Sequence, residues 1–332
     1  IDEDREKMTI QDSVERVNKV AEEIQSMVIG SEEAMRIARI ALLADAHLLM
    51  IGLPGEAKSM FANELLRRLE GKKFAITLKP GTSVEQMLGL PDFAALKKSK
   101  YSLVPRGLPE ANYAFLDETF RANPLILSAL LDILNERALK EGLDRIDTPL
   151  MWAIAASNFV VVDEAMDAFL DRFPFRLAVG EVNDPYDMYR IARAHGEGKA
   201  GLRKLTKPAT TVSLNDVLYL REIVNGQNSH GIDLPPHVLY LANQIASQMR
   251  STDQKGIALK RISSRTRVHI PDVLRISALL DGRDQVNFQD LKNSLSYCLV
   301  PSIMGDITKN KAFFEGVAER RQELAKVTNK TL

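Results

Sequence analysis

The chain has 332 residues, of which 45% are hydrophobic and 27% are charged, so we expect a soluble globular protein with room for two domains. Basic and acidic residues both number 44, and this zero formal charge argues against non-specific nucleic-acid binding, which usually needs a basic excess. With a single cysteine, five histidines without metal-ligand spacing and no apolar run of transmembrane length, the sequence predicts a cytoplasmic protein with no membrane insertion.

Two helices are predicted at the start of the chain. Apolar residues recur at spacings of three and four from Ile10 to Val28, which is typical of an amphipathic helix. Ser31 stands before Glu32 and Glu33, and this pattern predicts a side-chain cap and a second helix that leads towards the apolar run 46–51.

The stretch 52–59, with the sequence GLPGEAKS, lies between that apolar run and a helical pattern over 61–69. A strand, a loop of small residues, Lys-Ser and a helix are the layout of a phosphate-binding loop. Backbone N–H groups of such a loop and the positive end of the helix dipole favour an anion. We expect Lys58 to reach the β- and γ-phosphates of ATP and Ser59 to hold Mg²⁺. The predicted nucleotide-binding residues are Gly52, Pro54, Gly55, Glu56, Ala57, Lys58, Ser59 and Met60.

Ala57 departs from this motif, which has glycine before the lysine. If the position requires a positive φ, the Cβ of alanine costs about 1–2 kcal/mol. If the residue already belongs to the first helical turn, alanine is harmless. The residues leave both alternatives open, together with a simple strand-to-helix turn that binds no nucleotide.

Residues 74–78 predict a second strand, and residues 84–88 a short helix. The segment 90–101 is either an inserted loop or a hairpin. Its lysines, Lys97, Lys98 and Lys100, favour a solvated face over a nucleic-acid contact.

Residues 113–118 predict a buried strand that ends in Asp117 and Glu118. Ligands of open α/β sheets bind at the carboxyl ends of the strands, so Asp117 is a candidate for the Mg²⁺ shell. Glu118 is a candidate for the residue that orients and activates the attacking water. The alternative is that these carboxylates only cap a following helix.

A helix is predicted over 124–138, a hairpin or loop over 139–149, and a third buried strand over 150–156. Asn158 follows this strand. Its amide could position water beside the γ-phosphate, or serve only in a turn.

The residues around the next predicted strand, 174–179, include Arg172 and Arg176. Either arginine could form ordinary salt bridges or act as a finger on the nucleotide of a neighbouring subunit. The remainder, from about residue 184, has mainly helical patterns, so an α/β half precedes a helical half.

The chain resembles the MoxR-type AAA+ ATPases and is most similar to their RavA branch, which also has alanine before the lysine. The resemblance covers residues 28 to about 299. It rests on Ile29-Gly30, residues 52–59, Gly107-Leu108-Pro109-Glu110-Ala111, Phe115-Leu116-Asp117-Glu118, Asn135-Glu136-Arg137, Ala155-Ala156-Ser157-Asn158, Asp171-Arg172-Phe173 and Ser264-Arg265.

The resemblance implies a nucleotide-binding αβα core with a parallel sheet over 1–183, with an insertion at about 88–106. It further implies a small all-helical lid over 184–300, while the helical pattern at 301–332 predicts a tail helix from about 311 to 326. Lys58 and Ser59 correspond to Walker A, and Asp117 and Glu118 to Walker B.

By the same resemblance, Asn158 is similar to sensor 1, Arg172 to the arginine finger and Arg265 to sensor 2. Arg137 and Arg176 are weaker candidates for subunit contacts. Such proteins assemble mostly as hexameric rings and often act with a von Willebrand factor A-type partner on protein clients.

We therefore expect an ATP- and Mg²⁺-dependent remodelling or maturation factor. A nucleotide-switched scaffold with little turnover is the alternative, and the intact Glu118 speaks against it. A nucleic-acid motor is disfavoured by the zero net charge.

Overall fold

The structure of the chain is a computed structural model, and it describes residues 9–91, 103–141, 144–159, 169–180, 182, 184–196, 208–226, 231–248 and 267–291. The strands are β1 (Leu48–Gly52), β2 (Lys73–Thr77), β3 (Gly89–Pro91), β4 (Leu103–Pro105), β5 (Tyr113–Asp117), β6 (Ala138–Glu141), β7 (Asp144–Asp147), β8 (Trp152–Ser157) and β9 (Phe175–Val179).

The α-helices of this part of the chain are α1 (Ile10–Met27), α2 (Glu32–Leu43), α3 (Lys58–Arg68), α4 (Val84–Leu88), α5 (Pro124–Glu136), α6 (Pro185–Gly196), α7 (Leu214–Val224), α8 (Pro236–Gln248) and α9 (Ile270–Leu280). None of the helices within the described ranges combines the length and the apolar composition that crossing a bilayer requires.

Five strands form one parallel sheet in the order β2-β5-β8-β1-β9. Successive side chains of a strand point to opposite faces, so each central strand contributes to two cores. Met50, Phe115 and Ile154 pack on the face covered by α1, α2, α3 and the later helices. Leu49, Leu116 and Ala155 pack on the face covered by α4, α5 and residues 169–173. The predicted fold, a parallel α/β core followed by a helical region, is confirmed.

Two antiparallel pairs lie outside this sheet. β6 pairs with β7 within the segment 139–149, where a hairpin or loop was predicted. β3 pairs with β4, and of the predicted segment 90–101 only residues 90 and 91 belong to this pair. Residues 92–102, within the predicted insertion, lie outside the described part of the chain, as do Arg265 and the predicted tail helix.

The predicted cap at Ser31 is wrong in its chemistry. Ser31 stands at the N-cap position of α2, but its side chain makes no cap hydrogen bond. A capping serine has an extended backbone, whereas the ψ of Ser31 is 7°. The preceding residue, Gly30, turns the chain here with φ +79°. Ser213 does satisfy this requirement, with ψ 161°, and forms a capping box with Asp216 at the start of α7.

The helix α7 is bonded to the core at both ends. Asp216 accepts hydrogen bonds from Ser13 (2.7 Å) and Arg16 (3.1 Å) of α1. Arg221 donates to the carbonyl of Leu42 at the end of α2 (2.7 Å). The domain boundary at 183/184 stays a prediction, but α7 itself is packed and bonded against α1 and α2.

Candidate active site

The loop between β1 and α3 brings its backbone close to the neighbouring strand β9. A Cβ on Gly52 would clash with the carbonyl oxygen of Val179, so glycine is required there. Gly55 has φ +94°, a conformation that glycine adopts without strain. The close approach to β9 and the positive φ at Gly55 therefore fix the path of the loop between β1 and α3.

Ala57 is the N-cap of α3 and has φ 53° and ψ 14°, in the left-handed region. Of the two alternatives for this residue, the strained one is correct. The Cβ costs about 1–2 kcal/mol in this conformation. Such strain at a non-glycine residue persists where the surrounding structure imposes it, which is typical of ligand-binding sites.

Lys58 is the first residue of α3, and its ammonium group is bonded within the site. It donates to the carbonyl oxygens of Gly52 (2.7 Å) and Leu53 (2.6 Å) and to Oδ1 of Asn158 (2.9 Å). Burial lowers the pKa of Lys58, and the nearby carboxylates of Asp117 and Glu118 oppose this effect. The lysine thus spans the loop and the end of β8.

The Ser59 hydroxyl donates to Oδ2 of Asp117 at 2.8 Å. A hydroxyl and a carboxylate in contact are oxygen ligands of the kind that Mg²⁺ takes. Among the described residues there is no group of three or more His, Cys, Asp or Glu side chains that could hold a metal by themselves. A site with one or two protein ligands fits Mg²⁺, which keeps water and substrate phosphates in its remaining positions.

Glu118 has left-handed backbone angles, φ 52° and ψ 40°, and its carboxylate faces two partners. Asn158 donates to Oε1 at 2.6 Å, and Nε of Arg121 lies 3.3 Å from Oε2. The backbone N–H of Glu118 donates to Asp117 (3.0 Å). Lys58, Ser59, Asp117, Glu118 and Asn158 therefore form one bonded group, here called the strand-end cluster.

A cavity of about 510 Å³ opens beside the loop. Its walls come from the α1–α2 turn, from the loop and α3, and from the end of β9, the segment after it and α6. This volume falls in the range of ligand pockets, and most of its lining is apolar, which suits a nucleoside base. The lining of the cavity includes Val28, Gly30, Ser31, Met50, Gly55, Glu56, Ala57, Lys58, Met60, Val179, Val182, Met188 and Ile191.

Arg172 does not join the strand-end cluster. It lies in the turn before β9, where Nη1 is 3.5 Å from Oδ2 of Asp171, and none of its interactions within the described ranges reaches that cluster. Arg176 is buried and donates to the carbonyls of Leu170 and Phe173. Arg137 contacts Asp45 and His47. The guanidinium groups of Arg137 and Arg176 are thus engaged within the chain.

Sequence reasoning missed two parts of the site. Arg121 was not identified as the ionic neighbour of Glu118, although it follows three residues later, one turn along the chain. The cavity walls at Val182, Met188 and Ile191 were also missed, because they come from the segment beyond the sheet. The Ile29-Gly30 pair, which is part of the resemblance, was the available signal for the opposite wall.

Comparison with known proteins places residues 15–221 in a family described as the MoxR domain of MoxR-vWA-beta-propeller ternary systems. Among curated relatives, an uncharacterised protein of Methanocaldococcus jannaschii is 27% identical over 83% of this chain and 68% of its own length. Chaperone MoxR1 of Mycobacterium tuberculosis is 25% identical over 81% of this chain and 70% of its own.

Among solved structures, the fold matches a protein of Cytophaga hutchinsonii to which an ATPase function is provisionally ascribed. The TM-score is 0.68 and the identity is 18%, with 94% of this chain and 96% of the other covered. At this identity the likeness concerns the fold alone.

Proposed function

Because the chain belongs to the MoxR family of AAA+ ATPases, we propose that it is a Mg²⁺-dependent ATPase whose copies share active sites in a hexameric ring. Within the family we propose that it is most similar to the RavA branch, because alanine precedes Lys58 in this chain, as it does in that branch. The cycle would drive chaperone-like remodelling or maturation of a protein client in the cytoplasm. The observation that carries the proposal is the strand-end cluster beside a cavity of nucleotide size.

The nucleotide, when bound with Mg²⁺, supplies the triphosphate that is cleaved. The loop amides and the start of α3 favour its negative charge. Lys58 has its ammonium at the loop, where it can exchange the carbonyls of Gly52 and Leu53 for phosphate oxygens. Ser59 and Asp117 are the residues that would hold the metal.

Glu118 would accept the proton of the attacking water, and Asn158 would orient the water and the Glu118 carboxylate. The Asn158 amide bridges the two sides of the cluster, since it accepts from Lys58 and donates to Glu118. Negative charge develops on the phosphoryl group during its transfer, and an arginine that stabilises this charge raises the rate by about 10³ to 10⁵. Arg172 would supply it to a neighbour's site, because its own contacts lie outside the cluster of its own chain.

The replacement Glu118→Gln tests this function. We expect nucleotide affinity to change little, because the amide keeps the shape of the side chain, and turnover to fall by about 10² or more, because the amide accepts no proton. Steady-state phosphate release and fluorescent-nucleotide binding measure the two quantities. The matched control is Glu15→Gln, because Glu15 lies in an exposed ion pair with Lys19 on α1. This variant should keep full turnover.

Retained turnover in Glu118→Gln would contradict the catalytic role. Tight nucleotide binding by the wild-type protein without phosphate release, with and without a partner, would instead support the nucleotide-switched scaffold.

The proposed partner is a von Willebrand factor A-type protein, since the family's description places its MoxR domain in systems with such a component. The relative named as a chaperone supports a protein client. ATPase activity that does not respond to added DNA or RNA is expected, in line with the zero net charge.

A further inference from the structure

Arg176, on β9, is a buried arginine that bonds the turn carrying Arg172. Its side chain donates from Nε to the carbonyl of Phe173 (2.9 Å) and from Nη2 to the carbonyl of Leu170 (2.6 Å). These two carbonyls stand on either side of Arg172. The guanidinium therefore spans the turn from one end to the other.

The turn itself is short and closed on its own backbone. Arg172 N donates to Phe169 O (3.0 Å), and Phe173 N donates to Leu170 O (3.0 Å). Phe169 and Phe173 are fully buried, with ring centroids 5.1 Å apart. Arg176 adds a second donor to the Leu170 carbonyl and supplies a donor to the Phe173 carbonyl, which lies at the end of the turn.

Stability alone gives a poor account of a buried charge at this position. Burial lowers the pKa of Arg176 to about 10, and Asp171 opposes this only in part. Replacing buried ionic groups by apolar side chains of similar volume is often neutral or stabilising. What an apolar side chain could not supply is the pair of hydrogen bonds that fixes the shape of the turn.

The Arg172 side chain has few polar contacts that would aim its guanidinium. It is one-fifth exposed, its Nη1 is 3.5 Å from Asp171, and its Nε is buried without a hydrogen-bond partner in the described part of the chain. With few polar contacts of its own, the side chain takes its direction from the turn that carries it and from the packing around that turn. A residue that fixes the backbone of this turn fixes where the guanidinium points.

We propose that Arg176 is a positioning residue: by bonding the carbonyls of Leu170 and Phe173 it holds Arg172 in the orientation that completes the nucleotide site of a neighbouring copy. This inference rests on the proposed function, and in particular on sites shared between copies.

The test combines Arg176→Met with subunit mixing. Arg176→Met alone should lower kcat at least about tenfold without raising KM for ATP, because a displacement of about 1 Å at a reacting site can cost about 10² in rate. Mixed with Glu118→Gln, it should regain turnover above the sum of the separate preparations. Each Arg176→Met copy keeps its own cluster, and each Glu118→Gln copy keeps its Arg172. Arg36→Met, at an exposed position on α2, is the matched control and should keep wild-type kcat.

Arg172→Ala mixed with Glu118→Gln separates the two levels of the proposal. If this pair fails to complement, the shared site of the proposed function is overturned. If it complements while a folded Arg176→Met has wild-type kcat or does not complement, only the positioning role is overturned.

Should Arg176→Met fail to fold, Arg176→Lys decides the matter, because it keeps the charge but cannot span both carbonyls with a planar fork. A lower kcat at unchanged KM supports the role, and full turnover overturns it.

Discussion

His47 is a buried histidine just before β1, and it is held neutral by its surroundings. Its Nδ1 accepts from the backbone N–H of Ala153 (3.1 Å), and Nε2 lies 3.1 Å from the carbonyl of Leu134. Burial and then the positive charge of Arg137 hold the pKa of His47 well below its usual value. Arg221 adds to this effect, and Asp45 pairs with both arginines.

This arrangement predicts a pH dependence of stability. Below about pH 6.5 the unfolded chain binds a proton at His47 that the folded chain does not, so the free energy of unfolding falls as pH decreases. The limiting slope is about 1.4 kcal/mol per pH unit. Urea unfolding between pH 5 and 7.5 measures it. His47→Gln should flatten the dependence of the unfolding free energy on pH in this window. The control is His237→Gln, which replaces an exposed histidine and should leave that dependence unchanged. Equal slopes in His47→Gln and the wild-type protein would contradict the prediction.

The positions of the strand-end residues were predictable, because their chemistry and their place in the strands agree. Asp117, Glu118 and Asn158 were predicted at the carboxyl ends of strands, where open α/β sheets bind their ligands, and the structure brings them together with Lys58. Their catalytic roles stay predictions. The partners of Arg176 could not be predicted. They are backbone carbonyls of a turn, whose direction depends on how Phe169 and Phe173 pack.

At the scale of elements, α7 ties the later part of the chain to the core through the side chain of Arg221. Arg221 donates to Leu42 O from Nε (3.0 Å) and Nη2 (2.7 Å), and Nη2 also reaches Met151 O (3.2 Å). Its Nη1 pairs with Asp45 at 2.8 Å. One side chain thus joins the end of α2, the start of β8 and the segment before β1.

Arg221→Met should therefore lower the free energy of unfolding by about 2 kcal/mol or more, since buried carbonyls lose their donors. Urea denaturation measures the change. Arg190→Met removes a partly exposed pair with Asp187 on α6 and should cost about 0.5 kcal/mol or less. A loss below about 1 kcal/mol in Arg221→Met would show that the hydrogen bonds of Arg221 contribute little to holding α7 on the core.

The elements themselves were largely predictable, and the exceptions have physical reasons. The runs at 113–118 and 150–156 gave buried strands because both faces of a parallel sheet are covered. Ser213 capped its helix and Ser31 did not, since the turn at Gly30 removes the extended backbone that a cap needs. Tertiary geometry of this kind is not visible in a local pattern.

At the scale of the whole molecule, a site completed between copies couples nucleotide binding to assembly. If the triphosphate binds only where a neighbour contributes Arg172, nucleotide at 100 times its Kd stabilises the assembly by about 2.7 kcal/mol per site. That corresponds to about a 100-fold gain in the association constant for each site filled. The coupling is reciprocal, so assembly must also raise nucleotide affinity.

Glu118→Gln makes this coupling measurable, because the nucleotide stays bound without being consumed. We expect its sedimentation coefficient to rise when Mg²⁺ and ATP are added, at a protein concentration where the nucleotide-free form is largely dissociated. Lys58→Ala, which removes the phosphate-binding ammonium, is the matched control and should sediment alike with and without nucleotide. Arg172→Ala in the Glu118→Gln background should shift less than Glu118→Gln alone, because the coupling passes through that guanidinium. An unchanged sedimentation profile of Glu118→Gln at saturating ATP, across a range of protein concentrations, would mean that the nucleotide is bound by each copy independently.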